Sequence, residues 1–229
     1  MAPVFEEAAL FTLFESTEHF IVVDKAPGAG FHREDDAPAL IAAVREALHD
    51  PALWPVHRLD KVTSGLMLFA RSASAARALS EALAEHSLRK YYLALSDRSP
   101  AKKQGWVKGD MVKARGGAWR LAHTHDNPAV TRFLSFSLAP KRRLFLLAPF
   151  TGRTHQLRVA MKSVSSPILG DALYGGTSAD RVYLHAYALS FELFGERHRF
   201  VCPPSEGAEF LTPECAAKLA ELSQPWDLL

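Results

Sequence analysis

Cysteine is scarce in this chain, and its scarcity removes several classes of function. Cys202 and Cys215 are the only two in 229 residues, and they do not form a C-x-x-C pair. Two isolated thiols build neither a disulfide frame nor a zinc site, and they fit a reduced, cytoplasmic setting. His123-Thr124-His125 is a partial metal pattern without an accompanying cysteine or carboxylate set, so no metal is expected. No apolar run approaches the roughly 20 residues needed to cross a bilayer, so no membrane role is expected. Met1 to Leu10 contains Glu6 and Glu7 but no basic residue, unlike a secretory signal. Internal repeats, low-complexity tracts and clear linkers are also missing, which points to one domain over 1–229.

Net charge is low as well, at +2, but its distribution is uneven. Arg98 to Arg120 holds seven basic residues against the single acid Asp110, and Lys141 to Lys162 holds six with no acid. The first twenty and last twenty-five residues are net acidic. Such asymmetry fits a polyanion-binding face with an acidic back, and equally fits ordinary solvated loops.

Hydrophobic periodicity gives a coarse element order. Strands are expected at 20–25, 66–70, 90–95, 130–138, 144–150, 182–193 and 198–202, and helices at 38–49, 73–86, 154–164 and 214–222. Asp35, Asp36 and Pro38 supply start signals for the first helix. Gly116-Gly117, between Met111–Arg115 and Ala118–Leu121, reads as a hairpin turn, making 98–124 a protruding basic hairpin. Strands outnumber helices and connections are short. The fold class expected is α+β: a mostly antiparallel mixed sheet with flanking helices.

The most informative segment is His57-Arg58-Leu59-Asp60-Lys61-Val62-Thr63-Ser64-Gly65, set between apolar stretches. A lone carboxylate buried there costs several kcal/mol or takes up a proton, so Asp60 needs a cationic partner. Lys90-Tyr91-Tyr92-Leu93-Ala94 and Thr151-Gly152-Arg153-Thr154-His155-Gln156-Leu157-Arg158 are two further dense segments. The last continues to Pro167-Ile168-Leu169-Gly170-Asp171 and Tyr174-Gly175; Asp24-Lys25-Ala26-Pro27-Gly28 and Leu184-His185-Ala186 complete the set.

Together, and in this order, these segments resemble the signatures of the RluA-type pseudouridine synthases. The resemblance runs from about Phe20 to Pro204. It implies a pseudouridine synthase catalytic domain that isomerises a specific uridine in tRNA or rRNA to pseudouridine; because the first strand is expected from Phe20, no separate N-terminal RNA-binding domain is expected. It implies Asp60 as catalytic nucleophile on a flipped-out uridine, Tyr92 against the target base, and Arg153 paired with Asp60. Leu157 would pack in the pocket, and no cofactor or metal would take part. His57, Arg58, Thr63 and Arg158 are expected at the substrate. The chain departs from the family at Ala160, where a histidine is frequent, and over Ser163 to Ser166, where an apolar run is usual; RNA docking or packing would feel this, not the reaction.

The physics of the residues agrees. A carboxylate nucleophile is activated by its surroundings, and a neighbouring guanidinium favours the charged form. An extruded base needs an aromatic surface, which Tyr92 offers. Trp106 and Trp119 in the first basic segment serve equally as stacking or core residues. The partner is then RNA, and a monomer is the simple expectation. The alternative is a non-catalytic RNA-binding or RNA-folding protein on the same scaffold. An aspartyl hydrolase lacks a second carboxylate or His–Asp pair at suitable spacing.

Overall fold

The computed structural model describes residues 10–31 and 39–229. One ten-stranded sheet organises them. The third strand of its main path is β4 (Ser64–Ala70), where every residue is buried. Leu66, Leu68 and Ala70 face a smaller apolar cluster, while Met67 and Phe69 face the main core. Burial on both faces explains why this strand reads as a continuous apolar run. On one side β4 pairs antiparallel with β2 (Phe20–Lys25), which pairs with the edge strand β1 (Phe11–Ser16); β3 (Trp54–Pro55) also pairs with β4. On the other side β4 runs parallel to β11 (Leu184–Leu193), the one parallel junction among the described strands.

From β11 the sheet continues antiparallel through β5 (Arg89–Ser96), β10 (Arg142–Pro149), β9 (Ala129–Ala139) and β6 (Gln104–Gly109). β12 (Glu196–Val201) forms a hairpin with β11. The architecture is the expected α+β mixed sheet, antiparallel almost throughout. β1 was not foreseen: five of its six residues are exposed, so the edge carries no strong alternation.

Among the described residues, four α-helices flank the sheet: α1 (Leu40–Ala47), α2 (Ala73–Ala84), α3 (Gln156–Ser163) and α4 (Pro213–Glu221). The side chains of Ser72 and Thr212 accept from the Ala75 and Cys215 N–H groups, capping α2 and α4. The expected start signals of α1, Asp35, Asp36 and Pro38, lie outside the described residues. In the basic 98–124 segment, β6 joins the main sheet, and a separate two-stranded ribbon forms from β7 (Met111–Lys113) and β8 (Trp119–Leu121). Gly116 and Gly117 sit at φ 65° and 76° in its turn, where a side chain would be strained.

α3 positions the site. Its residues Gln156 to Met161 are all buried, so its polar side chains must find partners inside the protein. Gln156 does so by accepting from Thr151 Oγ1 at 2.7 Å and the Arg153 N–H at 3.0 Å, and by donating to Thr131 Oγ1 and the Val130 carbonyl.

Candidate active site

Asp60 lies on the loop before β4. The loop is closed by a Thr63 N–H bond to the Asp60 carbonyl at 3.0 Å. It is tied down from behind by Lys25, whose buried Nζ donates to the carbonyls of Ala26, Ala29 and Lys61 at 2.8, 2.9 and 3.1 Å. Burial, with the nearby Arg181 charge, lowers the Lys25 pKa to about 7. Gly65 ends the loop at φ 105°, and a Cβ there would stand 2.3 Å from the Ala186 carbonyl oxygen. Only glycine permits β4 to approach β11 so closely.

Ser64 is turned away from Asp60. Arg181 Nη2 donates to its hydroxyl at 2.6 Å, and that hydroxyl meets His185 Nδ1 at 2.8 Å. His185 Nε2 lies 2.8 Å from the Cys202 carbonyl. A carbonyl only accepts, so Nε2 carries the proton and Nδ1 accepts from Ser64. Burial keeps this ring neutral, with a pKa of about 4.

The Asp60 side chain is 28% exposed and borders a cleft of about 490 Å³. Thr63, Tyr92, Leu157, Arg58 and Arg153 line the same cleft. These are six of the eight residues expected from the sequence; His57 lines an adjoining cleft with Asp60, and Arg158 pairs with Asp60.

The expected ion pair is different. Arg153 is exposed at the rim, and its Nη2 donates to Asn127 Oδ1. Among the described residues it makes no ion pair with Asp60. The partner of Asp60 is Arg158, with Nη1 3.8 Å from Asp60 Oδ2. Arg158, 6% exposed, is locked by Asp171: Nε donates to Oδ2 at 2.7 Å and Nη2 to Oδ1 at 2.8 Å. The guanidinium stands over the Tyr174 ring, with Cζ 4.9 Å from the ring centroid. Burial opposes the Arg158 charge, but Asp171 and then Asp60 outweigh it and hold the guanidinium above its ordinary range. Arg158 is therefore committed inside the protein and is not a surface contact for a substrate phosphate. The reason for the exchange is helix position: Arg153 precedes α3, whereas Arg158 projects from its buried first turns.

His57 also departs from expectation. Its Nε2 accepts the Leu68 N–H at 3.3 Å. Burial, reinforced by Lys90, lowers its pKa to about 3. The neutral ring braces the loop and carries no charge with which to hold phosphate. Tyr92 is 7% exposed; burial and then the Asp60 charge push its phenol far above its ordinary range. It stays protonated, so it offers a ring and an O–H donor rather than a base.

Two contributors carry no separate expectation from the sequence. Lys90 lines the cleft, and burial lowers its pKa to about 8. Asp171 orients Arg158 from behind. Both stand in motif segments, but side chains of this kind are ordinarily solvated, and only their burial reveals the role. His155, at φ 57° before α3, bonds Tyr174 Oη through Nδ1 at 2.8 Å and borders the cleft. Burial holds its imidazole below the ordinary range, against the pull of Asp60. Among the described residues no cluster of histidine, cysteine and carboxylate is arranged to hold a metal, and no helix is long and apolar enough to cross a membrane.

A family model described as RNA pseudouridylate synthase matches residues 19–163. An "uncharacterized RNA pseudouridine synthase" of Haemophilus influenzae is 50% identical over 196 residues, covering 85% of this chain and 88% of that protein. Ribosomal large subunit pseudouridine synthase C of Escherichia coli strain K12 is 32% identical over 220 residues, covering 88% of this chain and 68% of that one. Among solved structures, human RNA pseudouridylate synthase domain containing 1 superimposes with a TM-score of 0.72 at 24% identity, over 90% of this chain and 86% of that one, which shows a shared fold. Motifs, sheet and relatives converge: the chain belongs to the RluA-type RNA pseudouridylate synthase family, enzymes that isomerise uridine in RNA to pseudouridine.

Proposed function

We propose that this chain isomerises one particular uridine of rRNA or tRNA, with Asp60 as the nucleophile on a flipped-out nucleotide. The observation that carries the reading is a half-buried carboxylate, oriented by a guanidinium that is itself locked, at the edge of a cleft walled by Tyr92 and Leu157. Preorganised charge of this kind needs no rearrangement as the reaction begins. The relative in E. coli bears a ribosomal large subunit name, which favours rRNA.

The reaction breaks the bond from uracil N1 to the ribose, turns the ring, and joins C5 to the same sugar carbon; C5 gives up its proton and N1 takes one up. Nothing is added or removed overall. Asp60 is bonded to the sugar or to the base while the uracil turns, according to which of the two it attacks. Tyr92 covers the base with its ring, Leu157 supplies an apolar wall, and Thr63 keeps the Asp60 turn closed. Arg158 fixes the Asp60 carboxylate; Arg153 and Arg58, exposed at the rim, meet RNA phosphate. One ten-stranded sheet, from the edge strand β1 to β6, carries both apolar clusters, which supports one catalytic domain.

The test uses RNA from cells lacking this gene as substrate. Wild-type protein produces a new pseudouridine at a mappable position, and Asp60→Ala protein, folded by circular dichroism, produces none. Isomerisation by the Asp60→Ala protein would end the assignment.

A further inference from the structure

Beside the catalytic cleft lies a second groove of about 690 Å³, between the end of α2 and the segment that leaves β10. The two share Lys90, Pro149, Thr151, Gly152 and Arg153, so they form one continuous surface. Phe150 lies in the groove, with Arg89 Cζ 4.2 Å above its ring and His86 edge-on at 6.3 Å. Trp106 stands behind Phe150, ring centroids 5.2 Å apart, and is 50% exposed. Lys108 Nζ and Arg132 Cζ flank the indole at 5.1 and 5.7 Å.

Two features ask for a ligand. Arg89 Nη2 is buried and has no hydrogen-bond partner, although a buried guanidinium N–H is costly to leave unpaired. No carboxylate lines the groove, while Arg89, Lys90 and Arg153 do. An anion is the matching acceptor, and an aromatic face ringed by cations is the matching surface for a base.

We propose that this groove and Trp106 hold one unpaired nucleotide adjacent to the target uridine, its base against the aromatic pair and its phosphate at Arg89. The proposal rests on the reading of the cleft as an RNA uridine site. Strand register gives the path. Trp106 pairs with Arg132, Arg132 with Ala148, and Leu147 with Tyr92. Side chains alternate along a strand, so Trp106 stands on the sheet face opposite Tyr92. An RNA strand leaving the cleft therefore bends over the strand ends, across Phe150, to reach the indole. Unpaired RNA, with its bases splayed, follows such a turn, whereas a helix does not.

The probe is total RNA from cells lacking this gene. Trp106→Ala is expected to raise the half-saturating RNA concentration about tenfold, the order of one lost stacked base, with the rate at saturating RNA unchanged. Trp106→Phe restores most of the loss. Arg89→Met weakens binding and lowers the salt slope by about one phosphate contact, while Trp106→Ala leaves that slope alone. In an Asp60→Ala background the same RNA quenches tryptophan fluorescence, and Trp106→Phe removes that quenching. Unchanged half-saturation in both Trp106→Ala and Arg89→Met, or quenching that survives Trp106→Phe, overturns the proposal. If wild-type protein isomerises no uridine, the reading of the cleft fails, and the quenching experiment still decides the groove.

Discussion

Arg153 and Arg158 belong to the same short segment, yet the structure gives them opposite environments. Arg153 is exposed, precedes α3, and reaches sideways to Asn127. Arg158 is buried, bound through two nitrogens by Asp171, and faces Asp60. The chemistry of the two side chains is identical; burial and the placement of one carboxylate separate them. A bidentate partner behind a guanidinium fixes its plane, so its remaining nitrogen presents charge at one place. An arginine at the rim keeps the freedom to follow a phosphate.

That contrast can be broken most severely at Arg158. Arg158→Lys keeps a charge but not the fork, and a lysine cannot bond Asp171 bidentately while facing Asp60. A loss of the order of a hundredfold or more in the single-turnover rate is expected, with RNA binding mostly retained in a filter assay. A near-normal rate would remove Arg158 from the orientation of Asp60.

Asp171→Ala should be the next largest effect, and it should register first in stability. It leaves a nearly buried guanidinium without its main partner, a change that costs about 3–5 kcal/mol. Urea unfolding reads this as a lower midpoint with an unchanged slope. Stability equal to wild type would mean that solvent reaches Arg158 far more readily than its burial indicates.

Arg153→Ala sharpens the comparison from the other side. Its main effect should be on the half-saturating RNA concentration, by a few fold, with a reduced salt slope. A collapse of the single-turnover rate at saturating RNA would return the catalytic part to Arg153.

The smallest effect expected is on stability in acid. His57 and His185 are buried neutral, with pKa values of about 3 and about 4. Both are depressed below the ordinary value near 6.5, so between there and pH 4 the unfolded chain binds more protons. Stability is therefore full above pH 6.5 and falls as pH drops toward 4. Melting temperatures from pH 7 to 4 measure it. His57→Gln keeps an acceptor for the Leu68 N–H and should flatten the fall; an equal fall would assign the acid sensitivity to other groups.

Much of the site was legible in the sequence because its residues are chemically expensive. Asp60 among apolar neighbours demanded a cation, and a cation is there. Tyr92 and Leu157 fell where the motif segments put them. The resemblance implied Arg153 as the partner of Asp60, and the structure gives Arg158 instead: both lie in one segment, and only the start of α3 decides which is turned inward. His57 was expected at the substrate beside Arg58; its ring is instead consumed by the Leu68 N–H of β4, which no pattern along the chain announces. β1 escaped notice because an edge strand with one apolar face barely buried has no firm period.

By itself the sequence determined the α+β class, the order of most elements, the family and the carboxylate at its centre, because hydrophobic period and dense polar motifs are local properties of the chain. Only the tertiary structure decided the Asp60–Arg158–Asp171 arrangement, the neutral state of His57 and the continuity between the cleft and the Phe150 groove. Those depend on which groups lose water and which distant side chains they then meet, and neither follows from spacing along a chain.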